Sequence, residues 1–411
     1  MDRRLLTILL VVFVGIAGAS LILPILPLYA ERQFGLTPEW NTLLNTAFFG
    51  AQFLAGPYLG RLSDKYGRVP VLIVSQVGTA ISFLMIAFAP TAGWLFAARI
   101  LDGITGGNII VAQAYIIDIT PPEKRTQALG YIFATFGLGF MFGPVIGGLL
   151  AAAYGVQVPY IIAAIAAFAV VVLTWVALNE SLTPAQRLAN QQVKKSGVSL
   201  GELMRNTPLL LIFVITFIGQ FAFGLFQSTF SLYSAATIFK GYTLEATTLG
   251  IGLLFAVIGM TQLFTQAFLL RRVLKKVSEP TVVQIGNVLR MLGLLAYALI
   301  TTPWLGPIGS FCFAMGMGFS MPALQSLATR TVPDQVRGGV LGIYQSVANL
   351  AIVFSTALAG LIFAVGPRLP LWLGAILTAV AILPTLPLAR MIAPKPGLGG
   401  GDGIKQPVSA H

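Results

Sequence analysis

Two residues of opposite charge stand within an otherwise apolar run. Arg99 and Asp102 are three residues apart, a spacing that places both side chains on one face of a helix. Gly106 and Gln113 continue that stripe at helical spacing. A carboxylate in such a setting can take up and release protons, and a neighbouring arginine can tune its protonation. The same pair can instead form a neutral ion pair that only orients the helix, and the sequence leaves both interpretations open.

Other groups that could do chemistry are few. His411 is the single histidine and the last residue, and Cys312 is the single cysteine, so no disulfide can form within the chain. The sequence contains no metal-ligand cluster, no phosphate-binding loop and no paired catalytic acids. This inventory argues against an enzyme and against an ATP-driven pump, and it predicts no cofactor and no bound metal.

The composition indicates where such a chain resides. It has 411 residues, of which 56% are hydrophobic and 9% charged, and its mean hydropathy is +0.87. Soluble domains carry about 25% charged residues, so this chain cannot cover its surface with polar groups. Apolar runs of about 20 residues, the length that crosses a bilayer as a helix, recur throughout. They predict an all-α polytopic membrane protein with twelve spans, at about 5–30, 41–60, 71–89, 94–118, 127–153, 158–178, 208–236, 247–270, 281–301, 304–327, 339–365 and 369–391.

Lysines and arginines predict the orientation of these spans. With the N-terminus inside, 20 of the 25 basic residues fall in cytoplasmic segments and three in outer loops, while Arg99 and Arg290 lie inside helices. Cytoplasmic loops of membrane proteins carry such an excess. We therefore expect both termini to be cytoplasmic, and we expect the net charge of +12 to set topology, with no nucleic acid as partner.

The two halves of the chain repeat each other. A shift of 210 residues places Arg61 and Lys65 on Arg271 and Lys275. Both halves begin on the same side, so they are parallel repeats related by an axis along the membrane normal, with a central cavity between them. The expected division is an N-terminal six-helix half (1–178), a cytoplasmic linker (179–207), a C-terminal six-helix half (208–393) and a disordered tail (394–411).

The stretch GRLSDKYGRVPVL concentrates charge between the second and third spans. Gly60, at its start, allows the second helix to pack closely on helix 11 of the other half. Gly67 allows the left-handed turn that leads into the third helix. A basic loop that only sets topology is the alternative, but it explains neither the acid nor the glycines.

The charges of this stretch predict a latch between the halves. Asp64 can face the positive N-terminus of helix 11, near Arg337, and Arg68 can reach Asp118 at the cytoplasmic end of the fourth span. Such contacts would hold the halves together on the inner side and favour an outward-facing state. The predicted latch residues are Gly60, Asp64, Gly67, Arg68, Asp118 and Arg337.

This stretch resembles the signature loop of the major facilitator superfamily, whose pattern is Gly, any residue, Leu, small, Asp, basic, any residue, Gly, Arg. RILDG at 99–103, with TGG at 105–107, looks like the arginine–glycine motif of the fourth helix in that superfamily. The fifth span is similar to the motif of the drug:proton antiporter branch, which includes tetracycline-type exporters. The resemblance covers Leu5 to about Ile392, and the antiporter-like residues are Gly139, Gly143, Pro144, Gly147 and Gly148.

The resemblance implies proton-coupled transport by alternating access. Many members of this branch carry an aspartate in the first helix, where this chain has Gly15. Asp102, with Arg99, is therefore the main candidate for proton coupling, and Glu31, at the outer end of the first span, is the second. The glycines of the fifth span would permit close, sliding contact between helices.

In this family helices 1, 4, 7 and 10 line the cavity, with contributions from 2, 5, 8 and 11. Amides among aromatic rings suit amphipathic organic molecules better than a densely charged ion. Arg290 can attract a polar or anionic ligand, or it can snorkel or pair with a distant carboxylate. The cavity candidates are Asn45, Gln52, Gln113, Phe136, Phe140, Gln220, Phe223, Phe226, Gln227, Gln262, Arg290, Gln325, Tyr344, Gln345 and Asn349.

These observations lead to one main expectation and one alternative. The main expectation is a secondary active exporter of small amphipathic, drug-like compounds, located in the cytoplasmic (inner) membrane and energised by the proton gradient. The alternative is an importer, proton-coupled or facilitated, of a sugar-like or other small metabolite on the same fold. The expected partners are a small-molecule substrate and the lipid bilayer, and we expect the protein to function as a monomer.

Overall fold

A computed structural model describes residues 3–106, 108–121, 125–183, 187, 205–332 and 337–392 of the chain. Long apolar runs form helices because a helix satisfies its backbone N–H and C=O groups internally, as lipid requires. The α-helices of the first half are α1 (Arg3–Phe34), α2 (Pro38–Tyr66), α3 (Arg68–Ala87), α4 (Ala92–Thr105), α5 (Asn108–Ile119), α6 (Arg125–Tyr154) and α7 (Val158–Ala177).

The second half follows the same plan with some interruptions. Two π-helical turns, Ser234–Ile238 and Thr265–Leu269, and a 3-10 turn, Pro303–Leu305, lie between its helices. Its α-helices are α8 (Thr207–Tyr233), α9 (Leu244–Phe264), α10 (Leu270–Leu274), α11 (Glu279–Leu299), α12 (Gly306–Arg330), α13 (Arg337–Val365), α14 (Leu369–Val380) and α15 (Thr385–Ile392).

Within the described residues, eleven helical stretches are long and apolar enough to cross a membrane. The twelfth predicted span corresponds to α2, whose 29 residues are sufficient in length but include the polar end GRLSDKY. The predicted all-α, multi-pass membrane fold is confirmed. Most of the predicted linker, residues 184–186 and 188–204, and the predicted tail, 394–411, lie outside the described residues, and the domain boundaries stay predictions.

The hydrophobic cores show how the two halves meet. We call the side where α1 begins and α2 ends the predicted inner side, from the distribution of basic residues. On that side each half has its own core, one around Ile8 and Tyr115 and the other around Leu209 and Leu327. On the predicted outer side, Leu28 of the first half joins the core of the second half. Apolar packing between the halves is therefore concentrated on the outer side.

Polar contacts between the halves lie on the same outer side. The hydroxyl of Thr46 in α2 donates a hydrogen bond to the hydroxyl of Thr356 in α13, at 3.0 Å. Ser231 Oγ in α8 donates to the carbonyl oxygen of Leu23 in α1, at 2.8 Å. Gly360 of α13 packs directly on the backbone at the start of α2. The absence of a side chain at this position lets the two helices touch.

On the predicted inner side the described residues form no apolar core shared by the two halves. A methyl group placed at Gly15, Gly60 or Gly342 would meet no neighbouring heavy atom within 4 Å. Because the shared apolar core and the cross-half hydrogen bonds lie on the predicted outer side, we interpret the arrangement as inward-open. The close packing expected at Gly60 is not seen among the described residues, since a methyl group there would meet no described heavy atom within 4 Å.

Candidate functional site

The guanidinium of Arg68 organises the predicted latch loop. Its side chain is largely buried, with Nη1 2.8 Å from Asp64 Oδ1 and Nε 3.1 Å from Asp118 Oδ2. Nη1 also donates a hydrogen bond to Ser63 Oγ at 2.6 Å. Gly67 has φ +108°, a conformation that side-chain-bearing residues rarely adopt. The expected contact of Arg68 with Asp118 and the expected turn at Gly67 are thus both present.

Glu180 completes this loop. It is not among the site residues that the sequence predicts. Its Oε1 accepts from the backbone N–H of Arg68 at 2.9 Å and its Oε2 from that of Val69 at 3.2 Å. These N–H groups open α3, where a carboxylate is stabilised by unpaired donors and the helix dipole. Arg187 lies 3.5 Å from Glu180 and donates to the carbonyl oxygen of Tyr66. The segment after the sixth span is therefore bonded to the latch loop.

Among the described side chains, no hydrogen bond or ion pair joins Asp64 to the second half. Asp64 pairs with Arg68 in its own half, and Gly60 borders open space. The side chain of Arg337, the predicted partner near Asp64, lies outside the described residues, although its backbone begins α13. Such a latch would form only when the inner ends of the two halves meet. An inward-open arrangement would therefore release it.

The Arg99–Asp102 pair lies deep within the first half. Arg99 and Asp102 are 6% and 3% exposed, and Arg99 Nη1 lies 2.9 Å from Asp102 Oδ2. The guanidinium also stacks over the ring of Phe48, 4.2 Å from its centroid. Within the part of the chain that the structure describes, Arg99 Nε and the buried hydroxyl of Tyr160 have no hydrogen-bond partner. Glu31, the second candidate, is exposed at the outer end of α1.

The glycines of the fifth span form two different contacts. Gly139, Gly143 and Gly147, spaced by four, pack against the backbone of α1, and Ser20 Oγ donates to the carbonyl oxygen of Gly139 at 2.8 Å. Gly148 instead faces the backbone of α9 in the other half. The antiporter-like residues therefore hold α6 close to α1 while presenting one edge to the second half.

The partner surface for this edge is a pair of glycines in α9. A methyl group at Gly252 would collide with the carbonyl of Pro144, and one at Gly259 would collide with the backbone of Phe140 and Met141. The two glycines are seven residues apart, so they share a helix face. Neither glycine is among the predicted site residues, although the seven-residue spacing indicates a shared helix face.

Several predicted cavity residues lie at the opening between the halves. Gln345 and Ser346 are exposed, and Gln345 Nε2 donates to Asn349 Oδ1 at 3.0 Å. Amides and hydroxyls exposed on a transmembrane helix should face water and not lipid. Of the remaining candidates, those that are only partly buried are Asn45, Gln52, Gln113, Phe136, Phe140, Phe223, Gln227, Gln262 and Gln325. Their contact with a substrate stays a prediction.

Four candidates are buried within the second half. Phe226 is 2% exposed and packs between aromatic rings, 4.3 Å from Phe313 and 4.6 Å from Phe230 between centroids. The surrounding rings cover Phe226 in this conformation, and its contact with a substrate stays a prediction. Gln220, Arg290 and Tyr344 are also buried. In the first half, the candidate Gln52 makes a hydrogen bond within the protein, because its Nε2 donates to the carbonyl oxygen of Gly106 at 3.1 Å.

Comparison with known proteins agrees with this architecture. A tetracycline resistance protein of class H from Pasteurella multocida is 30% identical over 402 residues, covering 96% of this chain and 98% of the relative. Multidrug resistance protein 2 of Bacillus subtilis is 27% identical over 365 residues, covering 86% of both. The crystal structure of a peptide transporter, POT, in complex with sulfate matches the fold with a TM-score of 0.76 at 14% identity, covering 95% of this chain and 94% of that one.

A family model covers almost the whole chain. The model described as Major Facilitator Superfamily matches residues 8–277 and 222–409. The matched segments include the latch loop, the buried ion pair and the glycine-rich fifth span. The chain is therefore a multi-pass membrane transporter, not an enzyme, and it belongs to the Major Facilitator Superfamily.

Proposed function

We propose that the chain is a secondary active transporter that exports small amphipathic, drug-like compounds in exchange for protons. The observation that carries this proposal is the similarity, over nearly their full lengths, to proteins named for tetracycline and multidrug resistance. The proposed site is the inner membrane, with both termini cytoplasmic and the single chain as the working unit. A proton gradient is the proposed energy source, and no cofactor is invoked.

The relation between the halves supports alternating access. Their polar and glycine contacts lie on the outer side, at Thr46–Thr356 and Gly360, beside the apolar packing around Leu28. Opening of the outer side would therefore have to break these hydrogen bonds and expose part of that apolar core. On the inner side the latch loop carries Asp64 in a position to meet α13 once the halves close. We assign the loop a switching role, with Glu180 and Arg68 holding it in shape.

The buried Arg99–Asp102 pair supports proton coupling. A carboxylate shielded from water and paired with a single guanidinium can change its protonation when the surrounding helices move. Its helix packs on α2, because Gly103 lies against the backbone of Phe48, and α2 in turn contacts the second half through Thr46. A movement of the halves can therefore reach the carboxylate through one helix.

A transport assay in inverted membrane vesicles tests the proposal. Vesicles containing the protein should accumulate fluorescent amphipathic compounds when a pH gradient, acidic inside, is imposed. An ionophore that collapses the gradient should abolish accumulation. Accumulation only in right-side-out vesicles would instead support an importer, and failure of a broad panel of drug-like compounds to move in either direction would contradict the proposal.

A further inference from the structure

Arg290 is a charged residue in the middle of a membrane-spanning helix. It is 2% exposed and lies 11 residues after Glu279, the start of α11. At 1.5 Å per residue this distance is about 16 Å along the helix, roughly half the apolar thickness of a bilayer. The side chain is enclosed by protein and does not reach a headgroup region, so snorkelling does not account for its position.

The guanidinium is incompletely satisfied within the described structure. Its Nη2 donates to the carbonyl oxygen of Gly219 at 2.6 Å, and its Cζ lies 6.0 Å from the ring centroid of Phe313. Its Nε is buried without a partner. No described carboxylate lies within ion-pairing distance of Arg290. The buried charge of Arg290 therefore lacks a carboxylate partner among the described residues, whereas Arg99 has Asp102 at 2.9 Å.

Other unused donors lie on the same side of α11. Asn287, one helical turn before Arg290, is 1% exposed, and its Nδ2 has no hydrogen-bond partner among the described residues. Ser320 of α12 packs against Gly286, next to Asn287, and its hydroxyl is likewise buried without a partner. Buried donors without acceptors are costly. A guanidinium, an amide nitrogen and a hydroxyl together form a set of donors suited to an anion.

Gln220 and Tyr344 lie at one edge of the cluster. Gln220, which follows the Arg290 partner Gly219 in α8, is 9% exposed, and Tyr344 of α13 is 6% exposed. Tyr344 lies near Arg290 and is followed in α13 by the exposed Gln345. It is seven residues, about 10 Å, from the start of α13. Gln220 and Tyr344 are therefore the residues past which the cluster would be reached from the predicted inner side, with Arg290 behind them.

We propose that Arg290, with Asn287 and Ser320, binds the ionised acidic group of an amphipathic organic substrate that enters past Gln220 and Tyr344. This inference rests on the proposed export function and adds a substrate class, organic acids with an aromatic or aliphatic body. Gln220 can present its amide nitrogen to the same group by rotation of its side chain. The apolar body would lie against the aromatic rings around Phe223, which stacks on Phe313.

A binding experiment on the detergent-purified full chain tests the site directly. The probes are naphthalene-1-carboxylate and its uncharged amide, which have the same ring system. The carboxylate should raise the melting temperature of the wild-type protein at a concentration at least about tenfold lower than the amide. That difference should disappear in Arg290→Met, persist in part in Arg290→Lys, and remain unchanged in Arg271→Met, which removes an exposed arginine.

The outcomes of this binding experiment separate the alternatives. Equal effects of carboxylate and amide on the wild type, or an unchanged difference in Arg290→Met, would overturn the proposal. A chloride or phosphate effect equal to that of the carboxylate would also overturn it, because it would indicate an inorganic anion site. If Arg290→Met does not purify as a monodisperse protein, Arg290→Lys and Asn287→Leu provide the comparison, and both should weaken carboxylate binding.

A transport experiment distinguishes failure of this inference from failure of the proposed function. Inverted vesicles are incubated with fluorescein or rhodamine 6G in the external solution. Fluorescein is an anionic dye, and rhodamine 6G is a cationic dye with the same type of ring system. Arg290→Met should reduce fluorescein accumulation and spare rhodamine 6G. Loss of both dyes to the same extent would contradict a charge-selective site. If the wild type moves neither dye but binds naphthalene-1-carboxylate through Arg290, the export proposal fails and the anion site stands.

Discussion

The carboxylate of Glu180 occupies the space that a side chain at Gly67 would need. A methyl group built at Gly67 would collide with Glu180 Oε2, and the φ of +108° would itself strain any residue other than glycine. The residue that most restricts the turn of the signature loop thus comes from the segment after the sixth span. Loop and segment are consequently one structural unit.

Gly67→Ala should be destabilising for two reasons. The backbone at Gly67 strains any other residue, and the added methyl group collides with Glu180. The backbone strain alone costs about 1–3 kcal/mol, and the collision with Glu180 adds to it. The melting temperature of the purified protein should fall, and the fall should be smaller when Glu180→Ala is also present. Gly60→Ala is the matched control, because the space around Gly60 is open. Equal effects of the two alanine substitutions would contradict this account.

Asp102→Asn should separate substrate movement from proton movement. The substitution retains the size of the side chain but removes its ability to exchange a proton, so substrate addition should no longer drive proton flux in proteoliposomes. Downhill substrate exchange should continue. Glu31→Gln is the comparison, since Glu31 is exposed and has no place in the buried pair. Full coupling in Asp102→Asn, with loss in Glu31→Gln, would transfer the role to Glu31.

Gly252→Ala should obstruct the contact between the halves. The added methyl group meets the carbonyl oxygen of Pro144 across the interface, and overpacking of this kind costs roughly 1–3 kcal/mol. We expect slower transport and a lower melting temperature. Gly342→Ala serves as the control, because a methyl group there has no neighbour in this conformation. Wild-type transport and stability in Gly252→Ala would show that α6 and α9 do not need this close approach.

The sequence predicts the fold well because the spans depend on local composition and length. The contact of Arg68 with Asp118 was also predictable, since both residues end on the same side of one half. Glu180 was not identified, because its role depends on a contact between segments 112 residues apart that no local pattern encodes. Phe226 shows a different limit. Periodicity places it on a helix but does not tell which face meets the cavity and which meets Phe313.

Gly60 shows a third limit, which is the conformational state. One sequence serves at least two arrangements in alternating access, so a residue selected for contact in one can border open space in the other. The Gly-to-helix contact predicted at the latch belongs to an inner-closed arrangement. The structure instead shows the halves joined at Thr46 and Thr356 on the outer side.

The last prediction concerns Asp64 and tests the switching role of the loop. Arg68 also pairs with Asp118, at 3.1 Å, so Asp64→Asn should leave membrane insertion and substrate affinity largely intact. Closure of the inner side should suffer, because asparagine cannot supply the charge that meets the positive N-terminus of α13. Turnover in proteoliposomes should therefore fall while binding does not.

A labelling measurement ties that loss to conformation. In a Cys312→Ser background, a cysteine introduced as Gln345→Cys lies at the exposed inner opening and reports how often that opening is accessible to a membrane-impermeant maleimide. Asp64→Asn should label faster than its parent during turnover, since the inner side closes less often. Lys65→Gln, which removes the adjacent exposed charge, should not. Unchanged turnover and labelling in Asp64→Asn would leave the loop as a basic segment that sets topology alone.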